Sequence, residues 1–149
     1  METPRFRGYG LKLVILDLLR TPNHGYGIMT ALQEAYRINV STGTVYPILA
    51  SLRRSGLIKV AEEGNRKRKS YVITEKGERY LKEHAEELED LKRKLETFRL
   101  FMDLNGDELK DALKEFFKRA EELDESQKEE LRQVFSECAR KMMLIMLKH

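Results

Sequence analysis

The sequence predicts a mainly α (α+β) fold: a winged helix-turn-helix domain, then a long helix and a helical dimerisation region. Three observations predict it. Three apolar-periodic segments in the first 57 residues are followed by two short alternating segments separated by Gly64–Asn65. An apolar seam then runs from Leu81 to Met102 at alternating spacings of three and four. Positive charge is concentrated in the first half: residues 1–79 hold 14 Lys and Arg against 7 Asp and Glu, whereas residues 80–149 hold 14 against 18. The domain boundaries that follow are 1–77 for the winged helix and 78–149 for the C-terminal helices.

The elements follow in order. Leu11, Leu13, Val14, Ile15, Leu18 and Leu19 are too dense for a one-faced helix, so the first helix is expected to be largely buried. "TPNHG" (Thr21 to Gly25) breaks it, and a second helix is expected over roughly Tyr26–Tyr36, with Ile28, Met29, Leu32 and Tyr36 at helical spacing. The third helix carries Val45, Ile48, Leu49 and Leu52 on one face and stops at Gly56. Pro47 lies inside it, and proline disfavours helical geometry in its predecessor. The expectation is therefore an irregular start over residues 42–46, with the N–H groups of Gly43 and Thr44 left free. Ile58 with Val60, and Tyr71 with Ile73, then mark the inward faces of a hairpin. Thr74 can cap a continuous helix of about 30 residues, roughly 45 Å long. Asp107 is expected to cap a fifth helix reaching about Leu123, and "DES" (Asp124 to Ser126) to start a sixth.

Composition excludes several classes. Charged residues make up 36% and hydrophobic residues 41%, the balance of a soluble globular chain. No apolar run approaches the roughly 20 residues of a membrane helix, and no charged segment followed by an apolar one opens the chain, so neither membrane partner nor secretion is expected. Cys138 is alone, which fits a reducing cytoplasm and provides no cysteine metal site. There is no Ser/His/Asp set, phosphate-cradling glycine loop, HExxH or CxxC, so an enzyme, a metal and a cofactor are all unexpected. His84 reads as a packed seam residue, "CARKMMLIM" (Cys138 to Met146) as core or interface filling, and Phe98, Phe101, Phe116, Phe117 and Phe135 as ordinary core.

"HGYGI" (His24 to Ile28), "STGTVYPILASLRRSGLI" (Ser41 to Ile58) and "RKRKSYVITEKG" (Arg66 to Gly77) together resemble the PadR family of winged-helix transcriptional regulators. Beyond residue 77 only the architecture is similar, since family members carry a variable helical C-terminal part that dimerises. The resemblance implies a repressor that acts sterically by occupying its operator, with room for a small-molecule effector that is unidentified. The chain departs from the family pattern at Gly27, where an acidic residue usually follows HGY, and in having no Trp.

The residues themselves point to the same surface. On a helical wheel the face opposite Val45 holds Gly43, Pro47, Ala50 and Arg54, flanked by Thr44 and Ser51 on one side and by Thr42, Tyr46 and Arg53 on the other. A slim face with hydroxyls at its edges suits the roughly 12 Å major groove. Ser41, Thr42, Gly43, Thr44 and Tyr46 are candidates for phosphate. Pro47 is a candidate for thymine methyl contact, and Arg53 and Arg54 are the only side chains able to reach guanine. With no Asn or Gln on this helix, direct base readout is thin, and DNA shape and dimer spacing carry much of the specificity.

Arg66, Lys67, Arg68 and Lys69 repel one another unless a polyanion neutralises them, so the hairpin is expected to lie on DNA phosphates. The seam residues Leu81, Leu88, Leu91, Leu95, Phe98 and Met102, with Leu131, Phe135 and Met142 of the last helix, are expected to form a homodimer contact. The expected partner is double-stranded DNA with a pseudo-palindromic operator, its half-sites about one helical turn apart or more. The competing reading is a winged-helix module that binds protein and no DNA.

Overall fold

The computed structural model describes residues 8–63 and 68–148. The order of elements is α1 (Gly8–Leu18), α2 (Gly25–Tyr36), α3 (Thr42–Arg54), β1 (Ile58–Glu63), β2 (Lys69–Ile73), α4 (Glu75–Glu83), α5 (Ala85–Asp103), α6 (Gly106–Arg119), a 3-10 turn (Ala120–Glu122) and α7 (Glu125–Met146). Residues up to Asp107 form one compact unit and residues from Glu108 another. The helical region up to Asp107 therefore groups with the N-terminal unit.

In the first unit α1 is the centre. Leu11, Leu13, Val14, Ile15, Leu16 and Leu19 are all buried, as a helix apolar on every side must be. Ile28 and Leu32 of α2, and Val45, Leu49 and Leu52 of α3, close over it. The β1–β2 pair is antiparallel, with Ile58 opposite Ile73 and Val60 opposite Tyr71, and a bulge between Val60 and Glu62. The apolar residues of both strands thus share one face, as the alternation requires. The linker between α1 and α2 also joins this sheet. Asn23 N–H donates to Tyr71 O and Tyr71 N–H to Asn23 O, while Ile73 N–H donates to Leu19 O at 2.8 Å. "TPNHG" is therefore a third piece of the wing as well as a helix break.

The seam from Leu81 to Phe98 finds its cover in the same chain. Leu81, Leu88 and Leu95 are buried, and Leu91 and Phe98 pack partly against the same core, where α5 lies on α1 and α2. Leu91, Phe98 and Met102 stay partly exposed; a heptad seam reports that a face is covered, not what covers it. Ion pairs fasten the same packing. Lys92 Nζ sits 2.7 Å from Asp17, which also binds Arg20 at 2.8 Å, and Arg37 reaches Asp103 at 3.1 Å. The hydrogen bond to Asp17 raises the Lys92 ammonium above its usual pKa, against the opposing effect of partial burial.

The long helix is two helices. His84 leaves helical geometry (φ −112°, ψ 24°) and serves as the last cap of α4 and the first of α5. Its Nδ1 lies 2.8 Å from Tyr80 O, and its ring stacks on Tyr80 at 4.1 Å between centroids. The ring thus adds a second contact to the Tyr80 carbonyl, which also accepts the His84 N–H at 3.1 Å. The next boundary shifts as well. Asn105 adopts φ 59° and α6 starts at Gly106, so Asp107 lies inside the helix and is not its cap. A Cβ at Gly106 would stand 2.4 Å from Phe101 O, so the chain can turn there only on glycine.

In the second unit Asp124 caps α7 through a reciprocal capping box with Gln127. Phe116 meets Phe135 edge to face at 5.5 Å between centroids. Among the described residues no side chain from Glu108 onward is buried. Phe117 and Phe135, expected in a core, are 68% and 42% exposed, and Met142 through Leu147 is an unbroken exposed apolar run.

Candidate nucleic-acid interface

The third helix presents the surface that its wheel predicts. Val45, Leu49 and Leu52 are buried, while Ser41, Thr42, Gly43, Thr44, Tyr46, Pro47, Ala50, Arg53 and Arg54 are exposed. Ser51, on the edge, accepts a bond from Lys12 Nζ of α1 at 3.3 Å, which ties α3 to the core helix.

The expected irregular start is corrected. Ser41 is the N-cap in extended geometry, and the helix runs unbroken over Thr42–Arg54 with Pro47 in its sixth position. Thr44 and Val45 N–H both donate to Ser41 O, at 3.0 and 3.1 Å, so the Thr44 amide is engaged and not free. Burial explains why the proline is tolerated. Val45, Leu49 and Leu52 each contribute about 1.5–3 kcal/mol, which together outweighs the roughly 3 kcal/mol of an interior proline. Pro47 and Gly43 are both exposed, so the carbonyl deprived of its ladder partner faces water. The amides of Thr42 and Gly43 precede the first ladder bond, and the Ser41 side chain makes no capping bond to them; its hydroxyl sits 3.2 Å from that of Thr44 instead. The exposed, positive end of the helix thus keeps donors pointed outward.

The other end of α3 is locked to the wing. Gly56 has φ 72°, and Gly56 and Leu57 N–H donate back to Arg53 O and Leu52 O, a complete glycine C-cap. Thr74 Oγ1 donates to Gly56 O at 2.7 Å and accepts from Gly77 N–H at 3.1 Å; Lys76 Nζ donates to Ser55 O at 2.8 Å. Gly77 permits this closure, because a Cβ there would stand 2.3 Å from Leu57 O. The end of α3 and the base of the wing are consequently bonded to one another.

Between them runs a groove of about 520 Å3 lined by Tyr46, Leu49, Ala50, Arg53, Arg54 and Tyr71. It gathers candidates from both ends of α3 and adds Tyr71, which alternation had marked only as an inward residue. A second, smaller cleft brings Tyr46 together with Arg68 and Lys69 and with His24, Gly25 and Tyr26 of α2. Arg66 and Lys67 lie outside the described residues. Sequence reasoning missed Tyr26 and Tyr71 as surface residues; "HGY" was a signal of resemblance but had no assigned role.

The α2 start explains the glycine at position 27. His24 Nδ1 accepts the Gly27 N–H at 3.0 Å, so the proton of the neutral ring sits on Nε2. Asn23 Oδ1 accepts the His24 N–H at 2.9 Å and lies over Gly27, where a Cβ would stand 1.8 Å from it. The Asn23 amide occupies the space that a side chain at 27 would need.

No helix among the described residues is long and apolar enough to cross a membrane. Comparison with known proteins places the chain. Residues 14–83 match the model of the transcriptional regulator PadR-like family. The transcriptional regulator YqjI of Escherichia coli is 37% identical over 97 residues, 62% of this chain and 46% of that protein, so this chain spans about half the length of the curated relative it matches. Among solved structures, a PadR-like transcription factor from Bacteroid fragilis is 31% identical with a TM-score of 0.51, over 62% of this chain and 93% of the other. A transcriptional regulator from Clostridium thermocellum is 30% identical with a TM-score of 0.52, over 64% and 98%. The chain belongs to the PadR-like family of transcriptional regulators.

Proposed function

We propose that this chain is a dimeric, sequence-specific DNA-binding repressor of the cytoplasm. α3 enters the major groove and the basic wing lies along the phosphate backbone. The observation that carries this reading is the outward face of α3: small residues at its centre, hydroxyls and arginines at its edges, and the Thr42 and Gly43 amides at an exposed helix N-terminus. Because α3 and the wing base are tied by Thr74 and Lys76, they engage a duplex as one body.

Dimerisation belongs to α6 and α7. A segment of about 40 residues without one buried side chain does not stabilise itself. The apolar face carrying Leu131, Phe135 and Met142 is free to pair with a second copy, unlike the covered seam on α5. Two winged helices then read a pseudo-palindrome, and operator occupancy excludes polymerase. An effector that binds one arrangement of the two chains better would shift half-site spacing and release the DNA.

A gel shift with the duplex upstream of its own coding region, beside a scrambled duplex, over a salt series tests the reading. Tighter binding to the natural duplex with a steep salt dependence is expected. Absence of binding to either at low salt would favour the protein-interaction module.

A further inference from the structure

A cleft of about 220 Å3 opens where the start of α2, the first turns of α3 and the base of the wing meet. Tyr26, Tyr46, Tyr71, Arg68 and Lys69 line it, and none of its described lining residues is a carboxylate. Among the described residues Arg68 and Lys69 form no salt bridge.

The Arg68 guanidinium carbon stands 5.8 Å from the centroid of the Tyr26 ring, a cation–π distance. A guanidinium attracted to a ring in this way keeps its fork free to bond elsewhere. Its N–H donors lie in the plane and remain available at the edge, in the fork geometry that matches a phosphate. Tyr26 is 53% exposed, so covering the core does not account for its position. Tyr46 leans over Gly25, where a Cβ would stand 2.8 Å from its hydroxyl oxygen. The absence of a side chain at 25 therefore sets the Tyr46 wall of the cleft.

We propose that this cleft seats a backbone phosphate of the bound duplex, gripped by Arg68 and Lys69, and that Tyr26 is a positioning residue that holds the Arg68 fork toward it. The inference rests on the DNA-binding reading above and adds a contact from α2 and the wing base, outside the major groove. Phosphate is common to every sequence, so the cleft contributes affinity and register and not base choice.

The test is fluorescence anisotropy of the full chain on its natural upstream duplex and on a scrambled duplex, over a salt series. Arg68→Gln is expected to weaken binding to both duplexes by the same factor, on the order of tenfold, and to lower the slope of log K against log salt by about 0.9 for each copy of the chain on the duplex, about 1.8 for the dimer. Tyr26→Leu is expected to weaken both by on the order of two- to fivefold, and Tyr26→Phe, which keeps the ring, to bind as the parent chain does. The double variant Tyr26→Leu/Arg68→Gln is expected to bind no worse than Arg68→Gln alone. Both residues are exposed, and circular dichroism of each variant checks the fold. An unchanged salt slope in Arg68→Gln, full affinity in Tyr26→Leu, or losses that multiply in the double variant overturns the proposal. If the parent chain binds neither duplex, the DNA reading itself fails; if it binds and the variants match it, only the cleft assignment fails.

Discussion

Asn23 and Tyr71 exchange both backbone hydrogen bonds, at 3.0 and 2.8 Å, across 48 residues of chain. The pair stitches the link between α1 and α2 to the second strand of the wing. The strand cannot swing without breaking two bonds that are partly shielded from solvent. The expected consequence is slow exchange: the Tyr71 amide should be protected to nearly the level of the α1 core amides in native-state hydrogen exchange. Rapid exchange at Tyr71 with a protected α1 would show that the wing base moves independently.

Two glycines should respond in opposite ways to the same substitution. At Gly77 a Cβ meets the Leu57 carbonyl at 2.3 Å, and backbone cannot step aside. Gly77→Ala should destabilise the chain by about 2–3 kcal/mol, read as a lower midpoint of urea unfolding. At Gly43 the nearest atom to a new Cβ is Ser41 Oγ at 3.7 Å, an ordinary contact. Gly43→Ala should leave stability unchanged or raise it by up to about 1 kcal/mol, while weakening DNA binding by crowding the helix end against phosphate. Unaltered affinity in Gly43→Ala would remove that amide from the interface.

The Asp17–Lys92 pair makes stability fall in alkali. Because Asp17 raises the Lys92 pKa in the folded chain, the stabilisation is fully present below the unfolded value, near about 10.4, and is lost as pH rises through the folded value. Tyr36 acts in the same direction. Burial raises its phenol pKa, so the folded state loses ground once unfolded tyrosine ionises. Thermal melts from pH 8 to 11 of Lys92→Met, Tyr36→Phe and the parent separate the two. Lys92→Met should flatten the alkaline decline. A double-mutant cycle with Asp17→Asn should give a coupling of about 0.5–3 kcal/mol, and a coupling of zero would reduce the pair to surface decoration.

Met142 and Ile145, exposed on α7, test the assignment of the dimer contact. The parent chain is expected at the mass of two chains by light scattering at micromolar concentration. Met142→Glu/Ile145→Glu should run at the mass of one and keep the melting transition of the winged helix, which contains neither residue. A persistent dimer would move the contact elsewhere.

Much of this architecture was legible in the sequence, and the failures share a cause. The exposed and buried faces of α3 follow from 3.6-residue periodicity, which is local. The Gly56 stop and the Thr74 cap are local as well. Pro47 misled because its cost is local whereas the burial of Val45, Leu49 and Leu52 that outweighs it is tertiary. The cover that α5 gives to α1 was not legible, because no pattern within 81–102 states which partner a face meets. The change of backbone geometry at His84 and the Asn23–Tyr71 ladder between distant residues have no signature in side-chain hydropathy. The Tyr26–Arg68 cation–π contact likewise joins residues 42 positions apart, and "HGY" could be seen only as a motif until the wing base was placed beside it.

In the proposed function α3 and the wing read DNA as a pair of half-sites held by two copies of the chain. Genome-wide pull-down of DNA cross-linked to the chain in its own cell tests it most directly. The account predicts enrichment of a short set of promoter fragments sharing a pseudo-palindrome, with half-sites about one helical turn apart or more, and loss of that enrichment when Arg53 and Arg54 are both changed to Ala. Recovered DNA indistinguishable from input, or enrichment that survives the double change, would contradict it.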